Sequence, residues 1–74
     1  MSVSISNARM AVQTVIDEVL RTVAAAASRH SVISVAAEAR RLARRYPTAL
    51  IPLCEVEGAM IRAAAERNVE VVLG

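Results

Sequence analysis

Residues 8–28 read ARMAVQTVIDEVLRTVAAAAS, and their spacing decides the fold. At 100° per residue, Ala8, Ala11, Val12, Val15, Ile16, Val19, Leu20, Val23 and Ala27 fill an arc of about 180°. Gln13, Asp17 and Arg21 occupy the opposite side, with Asp17 and Arg21 four apart in the favourable acid-first order. Met10 and Ala24 fall on that polar side and extend the apolar coverage. So wide a stripe buries against more than one neighbour. Its β-branched residues lower intrinsic helix propensity, so packing must stabilise it. Val12, Val15, Ile16, Val19, Leu20 and Val23 are therefore expected to form both the core and a dimer interface.

Outward from this helix, expected over 7–29, the N-terminal side alternates. Met1, Val3 and Ile5 face one way and Ser2, Ser4 and Ser6 the other, a short strand pattern or a disordered start. Ser6 or Asn7 can cap the helix. On the C-terminal side, Ser28–Ser31 breaks the period, Val32 and Ile33 follow, and Ser34 can cap a second helix over 34–46. Pro47 ends it, because the residue before proline is pushed out of the α region. The connector 47–53 holds Ala49, Leu50 and Ile51, too apolar for a free loop and expected to fold onto the core.

A third helix is expected over 52–67. Pro52 suits its first turn, and Glu55 and Glu57 sit near its positive end. Leu53, Val56, Met60, Ala63 and Ala64 line its apolar face; Glu55, Arg62 and Glu66 line another. Gly58 costs about 1 kcal/mol relative to Ala mid-helix and suggests a close helix crossing. Asn68 can take a left-handed cap. Val69–Leu73 has strand character and needs a partner: Ser2–Ile5, its own symmetry mate or another protein. The expected fold is all-α: one small three-helix domain over 1–74, with a long N-terminal helix, a short C-terminal strand and a dimeric state.

Composition supports association. Hydrophobic residues make up 55% of the 74, above the usual 45–50% or so, yet Tyr46 is the only aromatic. A core of Ala, Val, Ile, Leu and Met in so short a chain rarely supplies more than about 3–5 kcal/mol. A homodimer, or a complex with another protein, covers the surplus apolar surface. Cys54 is the single cysteine, so no intrachain disulfide forms. No signal peptide is visible, and no apolar run approaches the ~18 residues that span a membrane. The simplest expected location is the cytoplasm. All nine basic residues are arginine, a usage expected of GC-rich bacteria, although arginine also makes bidentate contacts that lysine cannot.

The densest charge lies in the second helix. Arg40, Arg41, Arg44 and Arg45 span an arc of about 140°, opposite Val35, Ala39, Leu42 and Tyr46, with Glu38 the one nearby acid. This face can grip phosphates or an acidic protein surface, or it can be a solvated face whose stems cover apolar edges. The net charge of +2 is mild for a nucleic-acid binder. A helix-turn-helix would read with the third helix, whose first turns carry Glu55 and Glu57, and the connector exceeds the usual turn. A ribbon-helix-helix would offer only serines from its strand.

His30 reads as a polar residue at a helix end rather than a pH-responsive group. Cys54 reads as a small packing residue, with an interchain thiol as its alternative. Tyr46 is expected to pack its ring and leave its hydroxyl wet. Gly58 and Gly74 are the only glycines, so no phosphate loop exists. One His and one Cys cannot make a metal site or an activated nucleophile. No enzyme, cofactor or small-molecule substrate is expected. The reading is a regulatory or adaptor protein acting through protein–protein contacts. Its alternative is a dimeric nucleic-acid-binding transcriptional regulator whose four arginines grip phosphates.

Overall fold

The computed structural model describes the backbone of residues 3–73 and side-chain placement for residues 10–73. Three helices are joined by a two-stranded parallel sheet and a short 3-10 turn. The order is α1 (Val3–Arg29), β1 (Ile33–Ser34), α2 (Val35–Arg45), the 3-10 turn (Pro47–Ala49), α3 (Leu53–Glu66) and β2 (Val71–Val72). α1 has 27 residues, so at 1.5 Å per residue it is about 40 Å long. It sets the long dimension of a molecule measuring 46 × 21 × 17 Å. No helix among the described residues is long and apolar enough to cross a membrane.

The N-terminal strand is corrected. Val3–Ser6 is already helical, so the helix does not start at a Ser6 or Asn7 cap; Met1 and Ser2 lie outside the described residues. Extending an existing helix costs far less than nucleating one, and six alternating residues are too few to outweigh it. Val3–Ile5 is consequently not the partner of the C-terminal strand.

That partner is β1. Ile33 pairs with Val71 and Ser34 with Val72, in parallel, and the Ile33 N–H donates to the Glu70 carbonyl at 3.0 Å. A parallel pair needs a long crossover, here α2, the turn and α3. Two matching helix ends bring the strands together. At the end of α1, Ser31 N–H donates to Ala26 O at 3.0 Å and His30 N–H to Ala27 O at 3.4 Å. At the end of α3, Val69 N–H donates to Ala64 O at 2.8 Å and Asn68 N–H to Ala65 O at 3.3 Å. Both are Schellman motifs, with His30 at φ 55 and Asn68 at φ 57. Each left-handed residue lies three positions before its strand, so the two exits deliver Ile33 and Val71 in register. Asn68 takes the expected left-handed cap, and His30 holds the equivalent backbone position at α1.

The core lies between the helices and is apolar throughout among the described residues. α1 contributes Val15, Val19, Val23 and Ala26; α2 contributes Val35, Ala39 and Leu42; α3 contributes Val56, Met60, Ala63 and Ala64. Each set follows the three-and-four spacing of one helix face. Ile33 and Ala49 close the ends.

Gly58 departs from expectation, because no helix crosses close to it. An added methyl group would meet only the Arg62 guanidinium, at 3.5 Å, an ordinary contact. Gly58→Ala should therefore stabilise α3 by up to about 1 kcal/mol, read as a higher urea midpoint with unchanged slope. A lower midpoint would show that the glycine is needed for packing.

Candidate functional site

Two surfaces stand out, and they occupy different faces. The first is an open apolar groove of about 660 Å³ between α1, the connector and α3. Val12, Val15, Ile16 and Val19 form its α1 wall, Ala49–Pro52 its end, and Cys54, Glu55, Val56, Gly58, Ala59 and Arg62 its α3 wall.

The helix geometry explains why it stays open. On α1, Val15, Val19 and Val23 point into the core and are buried. Ile16 and Leu20 sit about 60° and 100° further round than the centre of that face and remain 41% and 51% exposed; Val12 is half-buried. The six residues expected to share core and interface roles are thus divided. The stripe spans about 180°, and α3 with the 3-10 turn packs only on the side that carries Val15, Val19 and Val23.

Leu50 sits at the end of the groove and contradicts the expectation that the whole connector folds inward. Ala49 is buried and Ile51 packs on the core, but Leu50 is 83% exposed and left-handed, with φ 55 and ψ 34. That conformation costs a non-glycine residue about 1–2 kcal/mol. The fold thus holds a large apolar side chain outward at an energetic cost. Nothing in the sequence marks it, since apolar residues in a connector read as buried. Cys54, expected inside, is an exposed free thiol at the start of α3.

The second surface is the arginine face of α2. All four guanidiniums are exposed, but they are not equivalent. Arg41 donates to Glu38 at 2.8 Å and to Thr22 of α1 at 3.3 Å. Arg45 donates to the Tyr46 hydroxyl at 3.1 Å, with its carbon 5.6 Å from the ring centroid. The Tyr46 hydroxyl in turn donates to Glu18 of α1 at 3.4 Å, so it is tied to α1 rather than merely wet. The Tyr46 hydroxyl, with Glu18 behind it, pushes the Arg45 guanidinium further above its ordinary value.

Arg40 donates only to the Ala36 carbonyl, at 3.2 Å, and Arg44 has no partner among the described residues. Two of the four arginines thus help fasten α2 to α1, and two carry charge that no carboxylate offsets. Glu18 also pairs with Arg21 at 3.5 Å, while Asp17 accepts from Gln13 at 3.2 Å. The expected Asp17–Arg21 pair is not formed.

Among the described residues no three His, Cys, Asp or Glu side chains are grouped to hold a metal ion. The 370 Å³ recess between the two Schellman ends, lined by His30, Arg67, Asn68 and Glu70 among others, is a consequence of the cap geometry. Comparison with protein-family models, curated proteins and solved structures returned no match.

Proposed function

We propose that this chain is a small non-enzymatic regulatory or adaptor protein that acts through protein–protein contact. The open groove supplies affinity through apolar burial, and the arginine helix steers an acidic partner and sets its register. The observation that carries this reading is Leu50, a leucine held exposed in a strained conformation at the end of an apolar groove. Leu50 caps the 3-10 turn in this conformation, and a large exposed apolar residue at a position that suits glycine or asparagine favours a site that uses it. Isolated exposed leucines are ordinary; one aligned with Ile16 along a groove is an interface feature. Arg40 and Arg44 favour a second reading, in which the face grips nucleic-acid phosphates.

The test is Leu50→Gly. Relief of the left-handed strain offsets the flexibility that glycine adds to the unfolded chain, so stability should change by less than about 1 kcal/mol. Association, whether with itself or with a captured protein, should weaken at least tenfold, for a loss of about 1.4 kcal/mol or more of apolar burial. Full retention of binding would overturn the reading. In parallel, wild type and the R40A/R41A/R44A/R45A variant are titrated against duplex DNA and RNA at low ionic strength. Salt-sensitive binding lost in the variant would establish the phosphate reading instead.

A further inference from the structure

We propose that a second copy of this chain packs on the exposed shoulder of α1 beside the groove, with the two α1 helices antiparallel about a twofold axis near residue 18. The proposal rests on this side of α1 being a protein interface, and it names the occupant.

The exposed area fits a dimer. A folded chain of 7.9 kDa is expected to expose about 4,400 Å². This one exposes 5189 Å², an excess of roughly 800 Å². That is the area each partner contributes to an interface of standard size. The radius of gyration agrees: 12.8 Å against about 11.3 Å for a compact domain of this length. The chain is extended along α1, the helix that carries the uncovered shoulder.

The shoulder itself supplies the seam. Ile16 and Leu20, 41% and 51% exposed, lie four apart at its centre, and Gln13 and Ala24 continue the same line at its polar edge, at the three-and-four spacings of a helix-pair seam. An antiparallel arrangement sets Ile16 of one copy opposite Leu20 of the other, twice, as an isologous contact requires. Leu50 borders this side of the molecule, at the end of the adjoining groove.

Charge complementarity fits the same arrangement. Asp17 and Arg21 flank the seam on its solvent side; within the chain Asp17 accepts from Gln13 at 3.2 Å and Arg21 pairs with Glu18 at 3.5 Å, both exposed contacts that a second copy can exchange. In the antiparallel arrangement each Asp17 lies within reach of Arg21 on the second copy, giving two reciprocal pairs. Exposed pairs of this kind add little affinity; their effect is to favour this register. The arginine face of α2 stays outside the contact, free to meet an acidic partner.

The experiment uses the full-length chain in a Cys54→Ser background. One variant carries Gln13→Cys and the other Ala24→Cys, and the two are mixed in equal amounts under mild oxidation. Circular dichroism confirms that both keep the wild-type helix content. The antiparallel register brings position 13 of one copy beside position 24 of the other. The expected product is therefore a disulfide dimer between unlike variants, with little cross-linking of either variant alone. Cross-links between like variants would overturn the proposal in favour of a parallel pair. No cross-link would overturn self-association on this face. In that last case the groove as a site for a different protein is judged separately, by whether Leu50→Gly weakens capture of that protein.

Discussion

Leu42→Ala is expected to bring the chain close to its unfolding midpoint at 25 °C in dilute solution. Leu42 is 1% exposed and among the largest fully buried side chains, together with Met60, Val23 and Val35. Its α2 face meets α3 and the 3-10 turn. Truncating a buried leucine removes its transfer free energy and leaves a cavity, for a loss of about 2–5 kcal/mol. Relaxation around small neighbours such as Ala39 and Ala63 places this site near the middle of that range. The total available to a core of this size is about 3–5 kcal/mol, so the loss is comparable to the whole. Urea unfolding followed by circular dichroism measures it. A shift below about 1 kcal/mol would show that α2 is held mainly by its surface bonds to Thr22 and Glu18, not by its apolar face.

Deletion of Val69–Gly74 is expected to destabilise the fold by about 3 kcal/mol. Three effects add. Val69 and Val71, which pack on the core, lose burial worth about 1 kcal/mol each when partial. The Ile33 N–H loses its acceptor, Glu70 O, and a buried donor left unpaired costs about 1–3 kcal/mol unless water reaches it. The Ala64 carbonyl loses the Val69 N–H that completes the cap of α3. A melting temperature within a few degrees of wild type would show that the parallel pair is ornamental. The β2 segment would then be available to a partner instead.

The helical framework was legible because its stop signals are local. Pro47 ends α2, Pro52 precedes α3, and Asn68 turns the chain out of α3; the expected bounds 34–46 and 52–67 lie within one residue of those observed. Pro52 sits just before α3 rather than inside its first turn, and Ser34 holds the N-cap position without a side-chain bond. The buried faces followed from spacing alone.

What escaped the sequence depends on contacts between distant residues. Ile33–Ser34 is two residues long, too short to carry a period, and becomes a strand only because a matching helix end places Val71 beside it. Leu50 is apolar in an apolar connector, and no sequence signal separates it from its inward neighbours Ala49 and Ile51. The arginine face was visible as charge. Its division into two arginines fastened to α1 and two left unbalanced required the positions of Thr22, Glu18 and Tyr46. Likewise the valines and Ile16 of α1 share one stripe in sequence, and only the side on which α3 and the 3-10 turn pack shows which of them are left uncovered.

The central claim is that this uncovered shoulder of α1 meets a second copy. Sedimentation equilibrium of the wild-type chain across a wide concentration range tests it most directly, beside the I16E/L20E variant. Both residues are surface-exposed, so the variant should keep its helix content. The account predicts a wild-type species of twice 7.9 kDa that the two glutamates return to the mass of a single folded chain. A folded wild-type species of 7.9 kDa at every concentration would contradict it.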